Sequence, residues 1–190
     1  MRYQADSRQL GERTIAALEY AIANFGCTAE LRASLPSLDF APPIGWYELD
    51  AEAAHAAMAS RVLLRTETPG ASFVSNGVVQ YFTLGQTDPV RLSDIDTTLD
   101  ITALRNATVL DHVVDHDGYL AVDDGVYSAT DTDLRVRRSQ LAYVSARGDS
   151  SLAIFTATTP ASAWDTTESE IKEMEDRWLT KTILHISGDS

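Results

Sequence analysis

Residues 108–158 read TVLDHVVDHDGYLAVDDGVYSATDTDLRVRRSQLAYVSARGDSSLAIFTAT, and this stretch decides the fold. Short runs rich in Val, Leu, Ala and Tyr alternate in it with the turn signals Asp117-Gly118, Asp124-Gly125 and Arg147-Gly148-Asp149. Glycine supplies the positive φ that tight hairpins need, so each signal predicts a turn between two strands. We therefore expect consecutive antiparallel hairpins with strands at 108–114, 119–122, 126–129, 134–144 and 152–158.

Helices are predicted on both sides of this stretch. A closing helix begins after Pro160 and runs to about Thr182, with Ile171, Met174 and Trp178 on one face. An amphipathic helix is predicted over residues 7–25 at the other end of the chain.

The first half adds shorter elements. Strands are predicted at 44–49, 61–65 and 73–84, with a short helix capped by Asp50 at 51–58. A further helix is expected at 94–104, capped by Ser93. The elements together predict an α+β fold, an antiparallel β-sheet flanked by helices, with residues 1–34 as an N-terminal helix and linker and 35–190 as the domain.

The composition excludes several classes of protein. The chain has 190 residues and a net charge of −13. It has one cysteine, which excludes an internal disulfide framework and a multi-cysteine metal site. No apolar run is long enough to span a membrane, and the acidity argues against nucleic-acid binding. Residues 88–133 hold eleven Asp and two Arg, a net charge of −9. This stretch is either a solvated face or a docking face for a basic partner or a cation.

One cluster could hold a metal. His112 and His116 are four residues apart, with Asp111, Asp115 and Asp117 beside them, and such residues ligate divalent metals. The cluster lacks the further His and Asp residues that metal phosphohydrolases need, so we interpret it first as a structural turn and keep a metal site at His112 and His116 as the alternative. A metal-assisted hydrolase based on this cluster is kept as an alternative function.

Enzyme motifs are otherwise missing from the sequence. Gly148-Asp149-Ser150 lacks the second glycine of a nucleophile elbow, and Cys27 has no basic neighbour in sequence to activate its thiol. Neither a Walker loop nor Gly-x-Gly-x-x-Gly occurs. We expect a chain that is not an enzyme and that needs no cofactor.

Aromatic and basic residues supply weak candidates for binding. Trp46 and Trp164 flank predicted elements, where a tryptophan either closes the core or anchors a partner. Arg135 and Arg137 project from one side of their strand and either pair with the acidic stretch or hold an anion. The partner-binding candidates are Trp46, Trp164, Asp111, Asp115 and Asp117.

The order of elements resembles the LpqN-type lipoproteins of the PsbP-like superfamily over about residues 36–183. The resemblance lies in Pro42-Pro43-Ile44-Gly45-Trp46, in the apolar strand 71–79 with its central Asn76, and in the segment 104–110. It continues through Gly118, Gly125 and the strand with Gln140, and through 152–160 into a terminal amphipathic helix. The chain differs in lacking a lipobox, because Asn24-Phe25-Gly26 precedes Cys27.

The resemblance implies an α/β/α sandwich and a mostly non-enzymatic function. Members of the superfamily include photosystem assembly factors, a Ran-binding transport factor and chaperones of type VI secretion effectors, and no catalytic residue carries over. We therefore expect a protein-binding module, chaperone-like or adaptor-like, with a protein partner and compatible with a homodimer. The expected compartment is the cytoplasm, or outside it if the precedent of the family holds. Carriage of a small apolar ligand is a third hypothesis, and it requires a deep apolar cavity between sheet and helix.

Overall fold

A computed structural model describes residues 16–33, 35–115, 119–129, 131–145 and 148–188. The predicted α+β fold is confirmed, because these residues form one eight-stranded sheet, antiparallel at every pairing, with helices against it. The strands are β1 (Glu30–Arg32), β2 (Trp46–Glu48), β3 (Arg61–Arg65), β4 (Asn76–Thr83), β5 (Thr108–Asp115), β6 (Leu120–Ala129), β7 (Thr132–Val144) and β8 (Ser150–Pro160).

The strand order is β2-β3-β4-β8-β7-β6-β5, with β1 paired to β4. The long strands β7 and β8 therefore lie inside the sheet, and β2 and β5 lie at the two ends of the order. The predicted succession of hairpins from β5 to β8 is confirmed.

Helix α4 (Trp164–Gly188) covers one face of the sheet, as the predicted closing helix requires. Because side chains alternate along a strand, β8 sends Phe155 toward α4 and Ile154 to the opposite face. Phe155 stacks on the fully buried Trp178 of α4, with ring centroids 5.9 Å apart. This contact fixes the helix over the centre of the sheet.

Helix α1 (Ala17–Phe25) packs on the opposite face and ends at Gly26, which has φ of 67° and so adopts the left-handed conformation that closes many helices. The part of the predicted helix before residue 16 lies outside the described residues. α1 and β1 belong to the same packed unit as the rest of the chain, because α1 contributes to a core with Ile154 and β1 pairs with β4. The described part of residues 1–34 thus contacts the sheet, and the division of the chain at residues 34 and 35 stays a prediction. The structure has helices on both faces of one sheet.

The predicted turn at Asp124-Gly125 is wrong. The two strands expected at 119–122 and 126–129 are a single strand, β6, and Gly125 is buried in its middle. A glycine is needed there for close packing and not for a turn, because a Cβ on Gly125 would lie 2.7 Å from Cγ2 of Ile101 and 2.9 Å from the carbonyl oxygen of Thr108. A β-bulge in β5, between Val109 and Asp111, is next to it.

The helix expected at 94–104 is also wrong in length. Only α3 (Leu99–Thr102) is α-helical, and Ser93 does not cap it. Asp96 forms a local turn instead, in which its carboxylate accepts hydrogen bonds from the backbone N–H and the hydroxyl of Thr98. By contrast, the cap predicted at Asp50 is confirmed, since its carboxylate accepts from the Ala53 N–H at 2.8 Å at the start of α2 (Ala51–Ala56).

Candidate functional site

A cavity of about 480 Å³ lies between the sheet and the layer formed by α1 and α3. Its walls are mainly apolar and come from seven elements that are distant in sequence. The apolar lining residues are Leu18, Ile22, Leu31, Phe82, Ile101, Leu104, Val136 and Ile154. This is the kind of cavity that the ligand-carrier hypothesis requires.

The two helices pack against different strands of the sheet. α1 packs with residues of β4 and β8, whereas α3 contacts β5 and β6. α3 is only four residues long, and β7 and β8 supply part of the cavity wall. Val136 of β7 and Thr156 of β8 line this part of the cavity.

A buried guanidinium supplies the main polar group of the cavity. Arg138 of β7 is 6% exposed, and its Nη2 lies 2.6 Å from Oδ2 of Asp100 and donates to Oε1 of Gln140 at 3.1 Å. Its Nη1 has no hydrogen-bond partner among the described residues. A buried N–H donor without a partner is costly, so the orientation of this guanidinium is held by its contacts with Asp100 and Gln140.

Asp100 of α3 contacts both α1 and β7. Its Oδ1 accepts from the backbone N–H of Ala17 at the start of α1, while its Oδ2 faces Arg138 of β7. Burial raises the pKa of Asp100, and the charge of Arg138 opposes that rise. The ion pair therefore holds α1 and α3 at the cavity, and it balances most of the positive charge on Arg138.

The His and Asp residues of the alternative metal cluster are only partly brought together. His112 lies opposite Asp123 in the register of β5 and β6, and its Nδ1 is 2.6 Å from Oδ1 of the fully buried Asp123. Asp111 and Asp115 lie on the exposed strand β5. His116 and Asp117 lie outside the described residues, and the part of the chain that the structure describes contains no group of three possible metal ligands.

The two candidate tryptophans differ in environment. Trp46 is 6% exposed, and its indole N–H donates to Oε2 of Glu170 on α4 at 2.8 Å, so it is a core residue here. Trp164 is half-buried, with the guanidinium of Arg135 4.6 Å from the centre of its ring. Of the two, only Trp164 offers part of its surface to a partner.

Arg135 and Arg137 pair with the acidic stretch, as one of the two alternatives predicted. Their guanidinium groups lie 3.1 and 2.8 Å from the carboxylate of Asp124, and Arg137 also contacts Glu175 of α4 at 2.7 Å. These contacts link β6 and β7 to α4 and leave little positive charge to hold an anion.

The two candidate nucleophiles are buried. Burial raises the pKa of the Cys27 thiol, which disfavours the reactive thiolate. The hydroxyl of Ser150 is buried and donates to the carbonyl oxygen of Thr87 at 2.6 Å. Neither residue is placed for nucleophilic catalysis in this structure.

Sequence reasoning missed Arg138 and Asp100 as a pair. The sequence does indicate which way Arg138 projects, because side chains alternate along a strand and Arg138 directly follows Arg137. The two side chains must therefore lie on opposite faces of the sheet. The partner of Arg138 lies 38 residues earlier on α3, so no local motif joins the two.

None of the helices in the described ranges has the length and apolar composition to cross a membrane.

Comparison with known proteins establishes the fold of the chain. No protein-family model and no curated protein matches the sequence. The structure is similar to the crystal structure of LpqN, which is involved in cell envelope biogenesis of Mycobacterium tuberculosis, with a TM-score of 0.66 and 14% identity. The match covers 85% of this chain and 94% of LpqN, so the chain has an LpqN-like fold, as the resemblance predicted. A protein of unknown function from Pseudomonas aeruginosa, PA94, is matched at a TM-score of 0.45 and 14% identity, over 77% of this chain and 93% of that one. The wider PsbP-like grouping stays a prediction.

Proposed function

We propose that this chain is a non-enzymatic binding protein that holds a small amphiphilic molecule between the sheet and the α1–α3 layer. The observation that carries the proposal is the mainly apolar cavity of about 480 Å³ with the charged residues Arg138 and Asp100 among its lining. Ligand sites are commonly cavities of roughly 300–1,000 Å³ with apolar walls and a few fixed polar groups.

The apolar walls supply the affinity. Transfer of a methylene group from water to an apolar site contributes about 0.8 kcal/mol, so a chain of eight carbons gains roughly 6 kcal/mol before the costs of binding are subtracted. Leu18, Ile22 and Ile154, which come from α1 and β8, would contact this chain.

The polar groups select the head of the ligand. Arg138 is already paired with Asp100, and the buried carboxylate of Asp123 lies on the neighbouring strand in register with Arg138. A second anion would add negative charge to this neighbourhood. A neutral polar head, such as a hydroxyl or an ester group, enters the cavity without that cost.

Isothermal titration calorimetry with 1-octanol and octanoate tests the proposal. We expect saturable binding of octanol with a negative heat-capacity change, and weaker binding of octanoate. Thr156→Phe places a ring in the cavity and should abolish binding. Thr180→Phe makes the same change on an exposed position of α4 and is the matched control. Absence of octanol binding to the wild type, or equal binding by the Thr156 variant, would contradict the proposal.

The likeness to LpqN is compatible with an amphiphilic ligand, since that protein is involved in cell envelope biogenesis. At 14% identity it supports the fold and not the ligand. The compartment of this chain, cytoplasmic or exported, stays a prediction.

A protein partner is the second candidate function, because the end strand β5 is exposed and carries the predicted partner residues Asp111 and Asp115. The metal-assisted hydrolase stays an alternative that needs His116 and Asp117 to complete the site. Elemental analysis of the purified protein, with melting curves in added zinc or manganese, tests it; a metal-free protein that neither ion stabilises would exclude it.

A further inference from the structure

Among the described residues, strand β5 ends the sheet and pairs only with β6. The other side of its backbone carries N–H and C=O groups that another strand could bind. We call this outer side the β5 edge. The His112 N–H donates to Oδ1 of Asp111 at 3.0 Å, so an added strand would compete with this local bond if that N–H points outward.

Natural proteins commonly protect such edges with short strands, proline, charged side chains or β-bulges. β5 is eight residues long and contains neither proline nor lysine, and its bulge lies before Asp111, so residues 111–115 keep a regular register. Its charged side chains are acidic, and they exclude strands that do not carry basic residues.

The side chains of β5 are also uncovered. Leu110, Val113 and Val114 are 49%, 51% and 50% exposed, so apolar side chains reach solvent on both faces of one strand. Exposed apolar side chains beside unpaired backbone groups are the features that extended segments recognise when they add to a sheet.

The charges on β5 define the partner. In the register with β6, Asp111, Val113 and Asp115 lie on the face toward α4, and His112 and Val114 lie on the other. The face toward α4 thus reads acidic, apolar, acidic. The complementary strand carries a basic residue, an apolar residue and a basic residue at alternate positions, with apolar residues between them.

A second copy of the chain fits this edge poorly. A two-fold pairing with Val113 opposite its own counterpart would place Asp111 opposite Asp115 of the second copy, twice, and like charges opposite each other destabilise a sheet.

We propose that the β5 edge binds an extended, basic segment of a protein partner by strand addition. The segment carries Lys or Arg opposite Asp111 and Asp115, and a β-branched residue beside Val113. Backbone hydrogen bonds supply the pairing, and the two carboxylates select the charge.

Fluorescence anisotropy with a labelled peptide containing Arg-Val-Ile-Val-Arg tests the proposal. We expect saturable binding that weakens as salt rises. The double variant Asp111→Lys/Asp115→Lys should bind about tenfold more weakly or worse. Glu52→Lys/Asp176→Lys changes the net charge equally at exposed positions of α2 and α4, and it should bind like the wild type.

Two modified peptides separate strand addition from simple charge attraction. N-methylation of alternate backbone amides keeps the charges but removes edge hydrogen bonds, and should abolish binding; Glu in place of both Arg should do the same. On binding of the unmodified peptide, hydrogen exchange should slow at the backbone amides of β5. Urea unfolding of the double variant verifies that it is folded, which we expect because both aspartates are exposed.

Three outcomes would overturn the proposal. The first is equal peptide binding by the wild type and the Asp111/Asp115 variant. The second is full binding of the N-methylated peptide. The third is a concentration-dependent dimer in which the amides of β5 are protected without peptide, which would assign the edge to a second copy. None of these outcomes bears on octanol binding in the cavity.

Discussion

Replacement of Gly125 by alanine should destabilise the protein because the added methyl has no room. Its Cβ would lie 2.7 Å and 3.1 Å from two carbons of Ile101, and 2.9 Å from the carbonyl oxygen of Thr108. Ile101 can change rotamer, but the carbonyl belongs to the backbone of β5 and can move only with the strand. Overpacking of this kind typically costs about 1–3 kcal/mol, and the upper part of that range is expected here.

Gly77→Ala is the matched control, since Gly77 is also buried in a strand of the same sheet. The nearest atoms to its added Cβ are 3.6–3.8 Å away, which is ordinary contact distance. Alanine should therefore be neutral or stabilise by up to about 1 kcal/mol, because it restricts the unfolded chain. Urea unfolding followed by tryptophan fluorescence measures both variants.

The Gly125 variant should also bind octanol more weakly, because Ile101 lines the cavity and must move. The packing argument would be refuted if Gly125→Ala were as stable as the wild type, or if Gly77→Ala lost as much stability.

Three further experiments test the charges and the buried hydroxyl of Tyr81. Burial raises the pKa of Tyr81 to about 12 from its ordinary 10.0. Between these values the hydroxyl ionises mainly in the unfolded chain, so the fold loses stability as the pH rises. Urea unfolding at pH 9 and 11 should show that the free energy of unfolding falls by about 1.4 kcal/mol more for the wild type than for Tyr81→Phe. A hydrogen bond from Arg65 lowers the pKa of Glu170 in the folded protein below its unfolded value of about 4.5, so the ionised carboxylate stabilises the fold above that pH. The extra stability of the wild type over Glu170→Gln should vanish as the pH falls through the folded pKa. Equal differences in unfolding free energy at pH 6 and pH 2 would count against this contact. Arg138→Met leaves the Asp100 carboxylate buried without its cation and should cost about 3–5 kcal/mol in urea unfolding. Adding Asp100→Asn should restore more than half of that loss, and no recovery would mean that the pair is not what holds α1 and α3.

The alternation of side chains made the sheet and its two covered faces predictable. Because side chains alternate along β8, Phe155 and Ile154 lie on opposite faces of the sheet. The closing helix shows a clear apolar face in the sequence. The cap at Asp50 was predictable because it depends only on local hydrogen bonds.

Contacts between distant segments were not predictable in this way. Gly125 resembles a turn residue in sequence, and only the approach of α3 shows why glycine is required in the middle of a strand. The cavity draws its walls from seven elements, so no local sequence pattern marks it. Because Asp96 forms a local turn, the helix begins later than the sequence suggests.

The acidic stretch over residues 88–133 does not act as one charged surface. Asp100, Asp123 and Asp124 lie inside the fold, where they contact Arg138, His112 and the pair Arg135 and Arg137. These carboxylates hold the strands and helices together, and their partners reduce the field that they send into solvent. The potential at the β5 edge therefore depends mainly on the nearby exposed carboxylates and only weakly on the net charge of −9. Reversing two charges on β5 should for this reason have a far larger effect on a basic strand than reversing two charges elsewhere.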